Sequence, residues 1–208
     1  DPDARYVTAS GHWCNAEGCL ITPTYNHMWF VAYLLVYTLV LAILLAVWKS
    51  MAGRLQGLSE RLGGWRLIVL PILVLGLLRA VLAPLFDITH AFVDDWYNHA
   101  VSFGLFLFGF SIAKSEALKQ QFIRLRWPAL VIALAAYAGW ATYAWTYRAE
   151  GAAPPEGLML AMRFVYAADQ WGFIAAAVGF GAKHLNRGGP ALTYLTLAVF
   201  PFYIVHQT

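Results

Sequence analysis

Apolar residues run in long blocks along this chain, separated by short polar or Gly/Pro-rich stretches. The blocks lie at about 28–48, 67–86, 98–113, 127–147, 158–182 and 191–208. A bilayer core of about 30 Å takes about 20 helical residues to cross, so the pattern predicts six membrane-spanning helices. The third block is short and begins near Asp94. Ala152-Ala153-Pro154-Pro155 and Gly188-Gly189-Pro190 read as breakers between helices. Ala135 with Gly139, and Gly172, Gly179 and Gly181, read as points of close helix approach. The predicted fold class is all-α: a polytopic helical membrane bundle forming one membrane domain over 1–208, with 1–27 outside the membrane.

Composition supports that solvent assignment. Hydrophobic residues make up 61% of the chain and charged ones 12%, about half the charged share of a soluble domain. The mean hydropathy is +0.59. A disordered chain is excluded, and a water-soluble globule lacks the polar side chains to cover its surface. The cations are unevenly placed. Lys49, Arg54, Arg61, Arg66, Lys114, Lys119, Arg124, Arg126, Lys183 and Arg187 fall in alternate connections, against Arg5 and Arg148 on the other side. Cytoplasmic connections carry the excess of Lys and Arg, so the chain starts extracytoplasmic. The net charge of +3 reflects this asymmetry. No nucleic-acid-binding pattern accompanies it, and nucleic-acid partners are rejected.

Cys14 and Cys19 share the extracytoplasmic segment at C-x4-C spacing. An oxidising compartment favours a local disulfide. Free thiols or a zinc site with His12 and His27 are the alternatives, although the spacing carries no metal signature. Ionisable groups inside spans are expensive and mark candidate sites. Arg79 lies about 10 Å and Arg163 about 8 Å inside the outer edge at 1.5 Å per residue, where each either snorkels outward or lines a cavity. Asp169 is near mid-membrane, out of snorkelling reach, and calls for a partner. Asp95, Asn98, His99 and Ser102 share one helical face, as do Arg163, Tyr166 and Gln170. His206 and Tyr203 form a smaller cluster. An outward-opening polar cavity is the simplest single cause of these positions; Trp140 and Tyr143 read as interface anchors.

Three strings match a known pattern. His27-Met28-Trp29-Phe30 resembles the HLWF string leading a helix of the acyltransferase-3 family of integral-membrane O-acyltransferases. Asp95-Trp96-Tyr97-Asn98-His99, followed by Phe106-Leu107-Phe108-Gly109-Phe110, resembles a mid-chain segment of that family, nearest the branch that contains glucans biosynthesis protein C. Phe200-Pro201-Phe202-Tyr203-Ile204-Val205-His206-Gln207 is similar to the P-[FI]-Y-[IL]-x-H-Q string of the family's penultimate span.

The resemblance implies about ten spans with both ends cytoplasmic. Three would then precede Asp1 and one would follow Thr208, making this chain a fragment expected to be inactive alone. It implies transfer of an acetyl- or succinyl-type group from a cytoplasmic thioester, with acyl-CoA as co-substrate, to a hydroxyl of an extracytoplasmic glycan. The setting would be a bacterial inner membrane. No bound cofactor or metal is implied. The family's arginine and histidine, about ten residues apart near its first span, have no counterpart here, so no catalytic residue is assigned. The substrate-binding candidates are Arg79, Asp95, Asn98, His99, Ser102, Arg163, Asp169, Gln170 and His206, with Cys14 and Cys19 as the disulfide. Arg54, Arg61, Arg66, Arg124 and Arg126 are candidates for the CoA phosphates, although the cytoplasmic charge bias already accounts for them. The alternative function is a transporter or flippase for a glycan or lipid-linked substrate.

Overall fold

The computed structural model describes residues 6–7, 13–15, 18–19, 29–86, 88, 92–93, 95–149, 151–185 and 188–205. Seven helices dominate: α1 (Trp29–Val47), α2 (Met51–Glu60), α3 (Arg66–Val81), α4 (Trp96–Ile112), α5 (Glu116–Thr146), α6 (Glu156–His184) and α7 (Pro190–Val205). Six of them cover the predicted blocks. Two, α1 and α5, are long and apolar enough to cross a membrane by length and composition.

On α1, Tyr33, Tyr37 and Leu41 recur every fourth residue and are buried, while Leu35, Leu39, Ile43 and Val47 are exposed on another face. A helix that is apolar on its packed and its open side suits lipid better than water.

The bundle is all-helical, and a small sheet precedes it. Ahead of α1, the strands β1 (Tyr6–Val7), β2 (Trp13–Asn15) and β3 (Gly18–Cys19) form an antiparallel sheet in the order β1-β2-β3. Strands of two or three residues are too short to show any alternation of polar and apolar positions. The β2–β3 register sets Cys14 opposite Cys19. Opposed residues in such a ladder sit about 4.5–5.5 Å apart at Cα, within disulfide reach; the side chains themselves lie outside the described residues.

The basic connections are also more ordered than the block pattern suggests. The stretch 49–66 contains α2, and most of 114–126 is the first third of α5. Leu118, Phe122, Leu125, Ala129 and Ala133 form one buried stripe along α5, while Arg124 stays exposed. This amphipathic extension is invisible to a search for uniformly apolar runs. Ser115 caps the helix, its Oγ accepting from the Leu118 amide at 3.3 Å.

Helices α5 and α6 pack antiparallel. A Cβ at Gly172 would come within 2.9 Å of Ala133 Cβ, and one at Gly179 would strike the Phe122 carbonyl. Among the described residues nothing lies within 4 Å of a Cβ at Gly181, so the close approaches they show are at Gly172 and Gly179.

Helix α3 and the turn that follows it dock on α6 through a consequence of Pro71, inside the helix, and Pro84, just beyond its end. Pro71 and Pro84 have no N–H, so the carbonyls four residues earlier, on Leu67 and Ala80, lose their helical donors. Side chains of α6 replace both. Trp171 Nε1 donates to the Leu67 carbonyl at 2.9 Å, and Arg163 Nη1 donates to the Ala80 carbonyl at 2.8 Å. Trp171 is 1% exposed, so Trp171→Phe strands a buried acceptor and is expected to cost about 2 kcal/mol. Adding Pro71→Ala returns an amide to Leu67 and should recover a measurable part of the lost thermal stability. A double variant no more stable than Trp171→Phe, by circular dichroism melting in detergent, would count against this account.

Candidate functional site

Two groups of polar side chains lie toward the end of the bundle where α3 ends and α4 begins. The first joins α1 to the start of α4. The Tyr33 hydroxyl donates to Asp95 Oδ2 at 2.6 Å and accepts from the Phe92 amide at 2.9 Å. Asn98 Nδ2 donates to the same Asp95 oxygen at 2.9 Å, and Ser102 Oγ donates to Asn98 Oδ1 at 3.0 Å. Asp95 sits at the N-cap position of α4, yet its side chain makes no capping bond; it faces α1 instead. The carboxyl is fully buried, and among the described residues its Oδ1 has no hydrogen-bond partner.

His99 is held at both ring nitrogens. Its Nε2 lies 2.7 Å from the Phe92 carbonyl, which can only accept, so Nε2 carries the hydrogen. In the neutral ring Nδ1 is then the acceptor, and the Tyr37 hydroxyl donates to it at 2.8 Å. The imidazole stacks on Tyr33 at 4.6 Å between centroids. Phe92 is in the left-handed region at φ +66°, a conformation that costs a bulky residue about 1–3 kcal/mol. In it, the amide reaches Tyr33 while the carbonyl reaches His99. Beside this network is a cavity of about 770 Å³ whose lining is mostly apolar, including Leu82, Phe92, Trp96 and Phe103 along with Tyr37 and His99.

The second group is cationic. Arg79 and Arg163 line one cavity of about 290 Å³ between α3, α5 and α6, together with Trp140, Tyr143 and Tyr166. The Arg79 guanidinium carbon lies over the Tyr166 ring, 3.6 Å from its centroid, and Nη1 donates to the Tyr97 hydroxyl at 3.1 Å. Arg163 is fixed by its bond to the Ala80 carbonyl. Among the described residues neither arginine has an acidic partner; the ion pair present is Lys119–Glu116, at the other end of α5.

The predicted single polar cavity is therefore two sites. Asp95, Asn98, His99 and Ser102 do share a face, but they bond to one another and to α1, and the space beside them is apolar. Arg79, Arg163 and Tyr166 meet in the second site, and both arginines line it. Gln170 is half-buried on α6. Among the described residues, Asp169 Oδ1 is buried with no hydrogen-bond partner. His206 lies outside the described residues. Sequence reasoning missed Tyr33 and Tyr37, whose spacing of four in a largely aliphatic helix was the available signal. It also read Trp140 and Tyr143 as interface anchors, whereas both line the arginine cavity.

A family model described as an acyltransferase domain, acyltransferase-3, matches residues 4–208. The chain belongs to the acyltransferase-3 family. No curated protein and no solved structure matches it. Membership makes it an acyltransferase, and its two long apolar helices point to a membrane protein. Attack on an acyl carbonyl develops negative charge on oxygen, and prearranged N–H donors stabilise that charge. Guanidinium groups also bind carboxylate or phosphate through paired N–H bonds.

Proposed function

We propose that the acyltransferase is a multi-pass inner-membrane O-acyltransferase, on the branch that contains glucans biosynthesis protein C. In this reading α1, α3, α4, α5, α6 and α7 span the membrane and the N-terminal sheet is extracytoplasmic. An acetyl- or succinyl-type group passes from cytoplasmic acyl-CoA to a hydroxyl of an extracytoplasmic glycan. The hydroxyl oxygen bonds to the thioester carbonyl carbon as the C–S bond breaks, and the hydroxyl proton leaves to a base and finally to the thiolate.

The observation that supports this reading is the pair of guanidinium groups in one cavity without a described acidic partner. They suit a site where negative charge is bound or develops. The Asp95, Asn98, His99 and Ser102 network acts here as a joint between α1 and α4, with His99 at the edge of the apolar cavity.

The test supplies acyl-labelled acyl-CoA and a periplasmic glucan to the full-length protein in vesicles. Label appearing covalently on the glucan is the expected result. Transport of unmodified glucan with no label transferred would instead favour a flippase and sink the proposal.

A further inference from the structure

Between α2, α3 and α4 lies a cleft of about 360 Å³. Every side chain along it is apolar, from Leu58 and Leu62 at one end to Leu78 and Ala100 at the other, with the buried Trp171 against it. The Trp171 N–H is already taken by the Leu67 carbonyl, so no side chain in the wall offers a hydrogen bond. Water does not stay in such a space, and leaving it empty forfeits the dispersion contacts of its lining. Leu70 and Val74 on its rim are exposed. The cleft therefore opens sideways, toward what in a membrane is hydrocarbon.

Gly104 stands midway along the α4 wall. A glycine inside a helix costs backbone entropy, and close helix contact is the usual return. At Gly76 that return is visible, because a Cβ there would run into Phe164. Among the described residues a Cβ at Gly104 would meet nothing within 4 Å. What its missing side chain does is keep the cleft open.

The dimensions suit a hydrocarbon chain. Leu70 to Leu78 on α3 and Ala100 to Phe108 on α4 each run eight residues, about 12 Å. The volume equals about twelve water molecules in the liquid, and a methylene group takes nearly the same room. One fatty-acyl chain fits, and two do not. The end at Leu58 is also the charged end. Arg54 is four residues from Leu58 and Arg66 four from Leu70, so each arginine shares the face of a lining leucine, one turn away, and both are exposed. Over 49–66 the sequence sets Lys49, Arg54, Arg61 and Arg66 against the single acid Glu60. Cationic clusters beside a span attract anionic lipid.

We propose that this cleft binds one acyl chain of an anionic phospholipid from the leaflet at the α2 end, with the headgroup phosphate on Arg54 and Arg66. The site rests on the membrane reading above but not on acyl transfer.

The experiment places full-length protein in phosphatidylcholine nanodiscs doped with phosphatidylglycerol that carries a mid-chain diazirine. The matching phosphatidylcholine probe is the control, and the label is mapped by peptide mass spectrometry after irradiation. Leu75 and Val101 are buried and line the cleft, whereas Leu73 and Leu77 are exposed outside it. Label is expected on Leu75 and Val101, at least about 10-fold more from phosphatidylglycerol, since each nearby cation contributes about fivefold. Gly104→Leu fills the cleft from a position with room for it, so it should keep wild-type thermal stability and lose that label. Arg54→Gln/Arg66→Gln should keep the label and lose the headgroup preference.

Label on Leu73 and Leu77 with none on Leu75 and Val101 would mean that protein covers the cleft, and would overturn the proposal. Equal labelling of the buried pair by both probes would overturn the anionic headgroup. Undiminished label in Gly104→Leu would place the chain elsewhere; if that variant does not fold, the wild-type map alone decides. Cleft labelling in a protein that transfers no acyl group would support the lipid site and count against the acyl-transfer reading alone.

Discussion

Arg163→Ala is expected to lower acyl transfer by the full-length protein about 100-fold or more, the usual effect of deleting one prearranged donor at a developing oxyanion. The same substitution also strands the Ala80 carbonyl, and because Pro84 lines the same cavity the two effects are separated by comparing a double variant with Pro84→Ala alone. Pro84→Ala returns an amide four residues after Ala80, so the double variant Arg163→Ala/Pro84→Ala should regain thermal stability but not turnover. Recovery of turnover along with stability would make Arg163 a helix-capping residue with no part in the chemistry. A cation at this position also complements the C-terminal end of α3. The single variant is therefore expected to lose some stability even where activity is not measured.

The second large effect belongs to Asp95. Asp95→Ala removes the acceptor shared by the Tyr33 hydroxyl and Asn98 Nδ2, leaving two donors at a largely buried joint. Each buried donor left unmade costs about 1–3 kcal/mol, so a loss of about 3 kcal/mol is expected. Tyr33→Phe alone gives up the Asp95 bond and the bond from Phe92, and should cost about 1–2 kcal/mol by the same rule. Because the two side chains act on each other, the double variant should lose less than the sum. Strict additivity in chemical or thermal denaturation would mean that the contact contributes nothing. Asp95→Asn keeps a carbonyl oxygen for Tyr33 and should be the mildest change at this position.

How much of this was legible in the chain varies by element. The blocks behind α1, α3, α4, α5, α6 and α7 could be read because uniform apolarity over a helix length is a local property. The charged start of α5 could not, since its buried stripe is diluted by Glu116, Lys119 and Arg124. The short strands could not either, because two residues carry no period. Arg79 and Arg163 were readable as costly residues at a similar depth, whereas their aromatic neighbours looked like interface anchors. The stripe from Asp95 to Ser102 was placed correctly on one face, but a polar face on a helix does not say whether water or a tyrosine answers it.

The sequence by itself determined the helical and apolar character of this acyltransferase, the cations that mark alternate connections, and the in-span residues that need an explanation. Only the tertiary structure decided what those residues meet. Tyr33 reaches Asp95 across 62 positions, Arg163 reaches Ala80 across 83, and Trp171 reaches Leu67 across 104. Hydrogen bonds act over about 3 Å, so a partner that far along the chain is set by how helices pack. Pro71 in α3 and Pro84 just beyond it show both levels at once. Their missing donors are written in the sequence, and the side chains that replace them come from α6.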